Sequence, residues 1–327
     1  MTRAIMLCAG FGTRLGGIGA GCPKPLLPVC GVPIVKFGIA KLVAHGIVDI
    51  VINLHHKAER FQKELGTGEE LGARISYSVE DKILGTGGGL KKALSLLDPE
   101  GSNEPFLSMN GKLIFDIDLT KVVEAFKQQD ALGMMVVRPS PEAQKWGAVD
   151  VSEDAQRTVK NILGSGGYMF GGVHVTRPST IRKLPDGEAC MVRQGYLPWI
   201  KEGKTVAAFV DDSDEYFAEH STPRRYLESN LALLKRNLAN PPDFQIGIHP
   251  TARVSSEATV TPPVLIGAGA TIEDGAQVGP DVVIGRGATI AKNTRVSQSV
   301  IWANTRLEKS GKGLISTSSE VTQTEPE

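Results

Sequence analysis

From Ile248 to Val296 an aliphatic residue returns at every sixth position, through Val254, Val260, Ile266, Ile272, Val278, Ile284 and Ile290, with a glycine, alanine or other small residue near most of them. Six residues are enough for one short strand and a turn. Such a unit buries its apolar side chain only by stacking on copies of itself. Three units close a triangular turn, and nine make about three coils of parallel β-helix. The pattern begins after "NPPD" and ends before a polar, Ser/Thr-rich stretch. The chain therefore divides into a domain at 1–237, a linker at 238–246, a hexapeptide-repeat β-helix at 247–307 and a tail at 308–327 that is expected to be disordered. So short a solenoid has exposed ends, and a homo-oligomer formed through the β-helix is expected.

Residues 1–237 carry a different rhythm. "AIMLCA" is a short apolar run, "GVPIVKFGIAKLVAHG" has helical spacing between Pro33 and Gly46, and "DIVINL" is a second buried-strand run. "KAERFQKEL", "RISYSV", "GLKKALSLL" and "PFLSM" continue the alternation of helix and strand. Successive βα units of this kind predict an α/β, Rossmann-like domain with a mixed, mostly parallel sheet and a ligand site at the carboxyl ends of its strands. From about residue 132 the pattern is less regular, with strand-like "LGMMVV", "GAVDVS", "YMFGGVHV" and "TVAAFV", yet no linker interrupts it.

Charge narrows the partners. Lys and Arg number 36, as do Asp and Glu, so nothing favours nucleic acid or an anionic membrane surface. Cys8, Cys22, Cys30 and Cys190 form no CxxC pair, which fits reduced thiols and a cytoplasmic location. No apolar run is long enough to span a membrane.

The chemistry starts where the first strand ends. In "LCAGFGTRL", Gly10 and Gly12 let the backbone turn amides inward after Ala9, Thr13 adds a hydroxyl and Arg14 a fixed cation, which together suit a phosphate. The segment is not a Walker A loop, and Leu15 stands where a dinucleotide fingerprint needs its third glycine. In "CPKPLLPV", Pro23 and Pro25 hold Lys24 on a rigid turn. "LGTGGGL", at 84–90, is expected to expose backbone amides and carbonyls suited to the edge of a base.

These segments, followed by "NGK", "FGGVHV" and "TPRRYL", resemble the sugar-1-phosphate nucleotidylyltransferases, in particular the mannose-1-phosphate guanylyltransferases and the N-acetylmuramate-1-phosphate uridylyltransferases. The repeat resembles the left-handed β-helix that many such enzymes carry behind this domain. The resemblance implies a nucleoside triphosphate and a sugar-1-phosphate as substrates, with an NDP-sugar and pyrophosphate as products. It places Ala9, Gly10, Gly12, Thr13 and Arg14 on the triphosphate and Lys24 at the α-phosphate. Thr86, Gly87 and Gly88 would meet the base, Asn110 the ribose or sugar side, and Gly147, Gly171 and Gly172 the sugar. It also implies Mg2+, held by the aspartate of an NGD motif and by a second aspartate near a GTP segment.

Both aspartates are replaced here. Lys112 stands at the first position, and "FAEHSTP" puts Glu219 at the second. The family's metal site is thus altered, and three readings follow. The Lys112 ammonium takes over the metal's charge in a transfer with weaker metal dependence or none; or a noncatalytic relative binds a nucleotide or NDP-sugar as a regulator; or the triphosphate and Glu219 hold Mg2+ between them. The first three cations of this scheme, Arg14, Lys24 and Lys112, join Glu219 as the catalytic candidates.

Overall fold

The computed structural model describes residues 2–10, 15, 18, 22–213, 215–236 and 238–324. Its contacts group the chain into two compact units, residues 1–10 with 38–217 and residues 11–37 with 218–327. The division differs from the boundary expected at 237, because the segment after the first strand groups with the C-terminal part of the chain.

In the first unit, strands β1 (Ala4–Leu7), β2 (Asp49–Leu54), β3 (Arg74–Val79) and β4 (Phe106–Asn110) alternate with helices α2 (Ala58–Leu65) and α3 (Gly85–Lys92), after α1 (Ile34–Ala44), which runs through the division. β1 and β4 are apolar and buried along nearly their whole length rather than every second residue, as expected of parallel strands covered on both faces. α2 shows the other pattern: Phe61 and Leu65, one turn apart, are buried among exposed charges, and Gly66 closes the helix. Helix α4 (Leu119–Lys127) opens on Asp118, whose carboxylate accepts the Lys121 amide at 3.1 Å.

Strands β5 (Gly133–Pro139), β6 (Ala148–Val151), β7 (Val159–Gly164), β8 (Tyr168–Thr176) and β9 (Ala207–Val210) complete the sheet. The order is β7-β6-β8-β4-β1-β2-β3, with β5 also on β8 and β9 on β5. β4, β1, β2 and β3 run parallel, whereas β8 is antiparallel to β4, β5 and β6. This is the mixed α/β sheet expected from the sequence. β7 was not expected: "VKNILG" carries too few apolar residues to stand out from its polar flanks. The core packs Ile5, Val51, Phe106, Met135, Tyr196 and Trp199, each buried side chain contributing on the order of 1.5 to 3 kcal/mol.

The second unit holds a tight hairpin, Pro28–Val29 against Val32–Pro33. Cys30 and Gly31, at φ +49° and +81°, form the two-residue turn whose twist suits a hairpin. Helix α5 (Pro223–Leu233) starts at Thr222, whose hydroxyl accepts the Arg225 amide at 3.3 Å. The solenoid follows as stacked parallel strands on three faces. Ile248 pairs with Ile266 and Ile266 with Ile284, while Val254, Ile272 and Ile290 stack on the second face and Val260, Val278 and Val296 on the third. Each of these coils therefore takes 18 residues, three hexads. Residues 308–324, expected to be disordered, instead continue the solenoid: Ile301 pairs with Ser316, Val296 with Gly311, and Val321–Gln323 folds back antiparallel on Leu314–Ser316. Leu314 and Ile315 are fully buried. At the opposite end, Ile248 and Val254 of the first coil and Ile246 just before it are exposed.

Candidate functional site

The carboxyl ends of β1, β2 and β3 are tied by one buried polar network. Asn53, the polar residue near the end of "DIVINL", accepts the Cys8 amide on Oδ1 at 2.7 Å and donates from Nδ2 to Glu80 Oε1 at 2.8 Å. Glu80 Oε2 accepts the Leu84 amide at 2.9 Å, at the start of α3, and the Glu80 carbonyl meets His55 Nδ1 at 2.8 Å. Asn53 and Glu80 are each 2% exposed, so their polar atoms are satisfied inside the protein, as buried groups must be. The sequence offered a signal for them, a polar residue ending each apolar strand run, but no motif.

The glycine cluster of "LGTGGGL" is the first turn of α3 and not an open loop. The amides of Gly87 and Gly88 both donate to the Ala189 carbonyl, at 2.8 and 3.1 Å, and Thr86 Oγ1 accepts the Met191 amide at 2.9 Å. A Cβ on Gly88 would stand 2.2 Å from the Gly187 carbonyl oxygen, and one on Gly89 would stand 2.6 Å from Asn53 Nδ2. These glycines therefore admit close packing by residues 187–189 and by the Asn53–Glu80 pair. The expectation that their amides lie open to a base is corrected accordingly.

Asn110 ends β4, and the Gly111 amide returns to the Leu7 carbonyl at 3.0 Å, which sets the turn that carries the half-buried Lys112. Beside Asn110 the β8 register shifts between Phe170 and His174, a bulge formed at Gly171 and Gly172. Gly172 has φ +74°, and a Cβ there would stand 2.4 Å from Asn110 Nδ2. The structure thus brings Asn110 and Gly172 together, and Gly171 packs near Phe217. Gly147, at φ +96°, lies beside Leu163. Asp116 and Asp118, the carboxylates closest to Lys112 in sequence, have other duties: Asp116 pairs with Lys41 at 2.6 Å and Asp118 caps α4. Beneath the bulge His174 Nδ1 meets the buried Tyr196 hydroxyl at 2.7 Å. Burial pulls the His174 imidazole down to about 4 and pushes the Tyr196 phenol up.

In the second unit Lys24 is 6% exposed, on a turn closed by Leu26 N to Pro23 O at 2.8 Å and Leu27 N to Lys24 O at 3.0 Å. Glu219 accepts from Arg225 Nη1 at 3.5 Å and from Ser221 Oγ at 3.4 Å. Ala9 and Gly10 follow β1, and no atom of the described residues lies within 4 Å of where a Gly10 Cβ would stand. Gly12, Thr13 and Arg14 lie outside the described residues.

Neither Lys112 nor Glu219, each taken in its own unit, offers a ready ligand for Mg2+. A lysine ammonium has hydrogen-bond donors and no acceptor, and the Glu219 carboxylate is engaged by an arginine. Among the described residues no group of three or more His, Cys, Asp or Glu side chains could hold a metal ion. Among the same residues no helix is long and apolar enough to cross a membrane.

Two family profiles match this chain, "Nucleotidyl transferase" over residues 3–170 and "GMPPB C-terminal domain" over residues 260–320. The chain is similar to a mannose-1-phosphate guanylyltransferase of Mycobacterium tuberculosis, with 26% identity over 283 residues that cover 83% of this chain and 77% of the relative. It is also similar to a UTP–glucose-1-phosphate uridylyltransferase of a Synechocystis species, 25% identical, over 93% of this chain and 84% of the relative. Among solved structures, HddC of Yersinia pseudotuberculosis in complex with GMP-PN shares the fold at a TM-score of 0.61 and 22% identity, over 71% of this chain and all of that one.

Proposed function

Because the chain belongs to the nucleotidyl transferase family, we propose that it transfers a nucleotidyl group from a nucleoside triphosphate to a sugar-1-phosphate. A phosphate oxygen of the sugar-1-phosphate attacks the α-phosphorus. A new P–O bond forms, the bond from the α-phosphorus to the bridging oxygen breaks, and pyrophosphate leaves with that electron pair. Such a step needs alignment and charge neutralisation more than covalent help from the protein.

In this reading Ala9, Gly10, Gly12, Thr13 and Arg14 hold the triphosphate, Lys24 contacts the α-phosphate, and the segment at Thr86, Gly87 and Gly88 borders the base through its packed surface. Asn110 with Gly171 and Gly172 borders the ribose and sugar, with Gly147 near the sugar. Lys112 supplies positive charge where the family has a carboxylate. One ammonium at about 4 Å, with an effective dielectric near 20, gives roughly 4 kcal/mol before desolvation is subtracted. Glu219, paired with Arg225, shapes the surroundings of the reaction without presenting a bare carboxylate. The supporting observation is that the half of the chain matched by the family, residues 3–170, ends its parallel strands in the buried polar network of Asn53 and Glu80.

The engagement of Glu219 by Arg225 favours a second reading, in which the protein binds a nucleotide or NDP-sugar without turning it over. The two separate in one assay. α-Labelled nucleoside triphosphates are incubated with a panel of sugar-1-phosphates, and labelled NDP-sugar is sought. Product with any pair supports the transferase, whereas NDP-sugar binding by calorimetry with no product from any pair replaces it by the regulator.

A further inference from the structure

We infer that the β-helix is the platform on which the lysine turn is mounted, with Tyr226 and Trp302 as its positioning residues. The functional half of this inference rests on the reading of Lys24 as a triphosphate contact. Residues 11–37 form one compact unit with residues 218–327, and a chain of hydrogen bonds inside that unit explains why. The Tyr226 hydroxyl, on the fully buried side of α5, donates to the Pro28 carbonyl and accepts from Trp302 Nε1 at 2.9 Å. One helical turn later, Asn230 Oδ1 accepts the Cys30 amide at 2.7 Å while its Nδ2 returns to the Tyr226 carbonyl at 2.8 Å.

Trp302 directly follows the solenoid strand Ser299–Ile301, so the chain of bonds runs from the solenoid through α5 to the hairpin. From the hairpin it is a short step to the lysine. Pro28 lies four residues after Lys24, and the intervening backbone is locked by Pro25 and by the Leu26 and Leu27 amide bonds. A shift at Pro28 has no flexible segment in which to dissipate before Lys24. A second tie joins the same parts: Lys36 pairs with Asp243 at 3.2 Å, and the Phe37 and Phe244 rings meet edge to face at 5.6 Å between centroids. A solenoid present only for assembly would need neither connection.

The test uses full-length Tyr226→Phe and Trp302→Phe, with Ile284→Val in the solenoid core as the control for general loosening. Each bond-removing variant is expected to weaken triphosphate binding by about threefold to tenfold in calorimetry and to speed hydrogen exchange at the Leu26 and Leu27 amides. The double variant should lose little more than Tyr226→Phe alone, since the two residues share one hydrogen bond, and Ile284→Val should alter neither readout. Unchanged exchange at Leu26 and Leu27 overturns the inference whatever the nucleotide data show. Faster exchange with unchanged affinity overturns the claim that the mounting matters for the triphosphate. A parent protein that binds no triphosphate overturns the reading beneath that claim, and the exchange data then show which of the two failed.

Discussion

Replacing Gly172 by alanine separates two consequences that the bulge in β8 combines. The backbone there sits at φ +74°, a region that costs a residue with a Cβ about 1 to 2 kcal/mol. The new methyl would also stand 2.4 Å from Asn110 Nδ2 and 3.3 Å from Leu113 Cδ1. The nearer atom is the far end of a side chain, so it can swing aside at little cost in stability but not without losing its orientation. Gly172→Ala should therefore lower the urea midpoint by an amount equivalent to about 1 to 2 kcal/mol with unchanged m, roughly 2 to 8 °C in Tm. Its loss of turnover, or of NDP-sugar affinity if the protein does not turn over, should exceed what that destabilisation explains. Gly171→Ala is the comparison, since its Cβ would meet nothing closer than the Val136 carbonyl at 3.3 Å and no positive φ is imposed; it should cost less in both assays. A Gly172→Ala protein with the parent's midpoint would refute the strain argument. One with the parent's activity would refute the role given to Asn110.

Burial holds the His174 imidazole at about 4, below its ordinary 6.5, so between these values the unfolded chain binds a proton that the folded protein does not. The associated stability is complete above pH 6.5 and is lost as pH falls toward 4, by about 3 kcal/mol in all; His174→Gln should flatten the stability curve over that window, and an unchanged slope would assign the titration elsewhere. The exposed Ile248 and Val254 of the first coil, with Ile246 just before it, give the expected homo-oligomer a surface to use. Full-length protein should scatter light as more than a monomer and Ile248→Glu as a smaller species, whereas a monomeric parent would defeat the expectation. Ending the chain near Leu238 should destabilise α5 and the hairpin, which lose Trp302 and the solenoid strands, as a lower Tm than the parent's would show.

The repeat was legible because each hexad must bury one side chain, and that requirement leaves a strict mark at every sixth position. It ceased to be legible when the geometry changed: the register passes from 18 residues per coil to 17 between Ile284 and Ile301, and to 15 between Val296 and Gly311. A shorter coil breaks the period without breaking the stack, so the final strands look like polar tail. The parallel strands were legible for a similar reason, since burial on both faces leaves continuous apolar runs. "GTGGG" was misleading in detail because glycine permits both an open phosphate or base loop and close backbone packing, and only the positions of Gly187 and Ala189 distinguish them. Asn53, Glu80 and Arg225 were missed because their roles depend on partners 27 residues apart or on a turn the sequence does not announce. The grouping of residues 11–37 with the solenoid could not be read at all, since it depends on bonds between positions nearly two hundred residues apart.

In the proposed transfer Lys112 supplies positive charge at the triphosphate. The direct measurement is pyrophosphate release by the parent and by Lys112→Asp, each with Mg2+ and with EDTA, using the triphosphate and sugar-1-phosphate pair that gives product. The parent is expected to keep its activity in EDTA, because the charge is carried by the protein, and Lys112→Asp to lose activity in EDTA and regain it with Mg2+. A parent whose turnover vanishes in EDTA, or a Lys112→Asp protein as indifferent to metal as the parent, would contradict that role of Lys112.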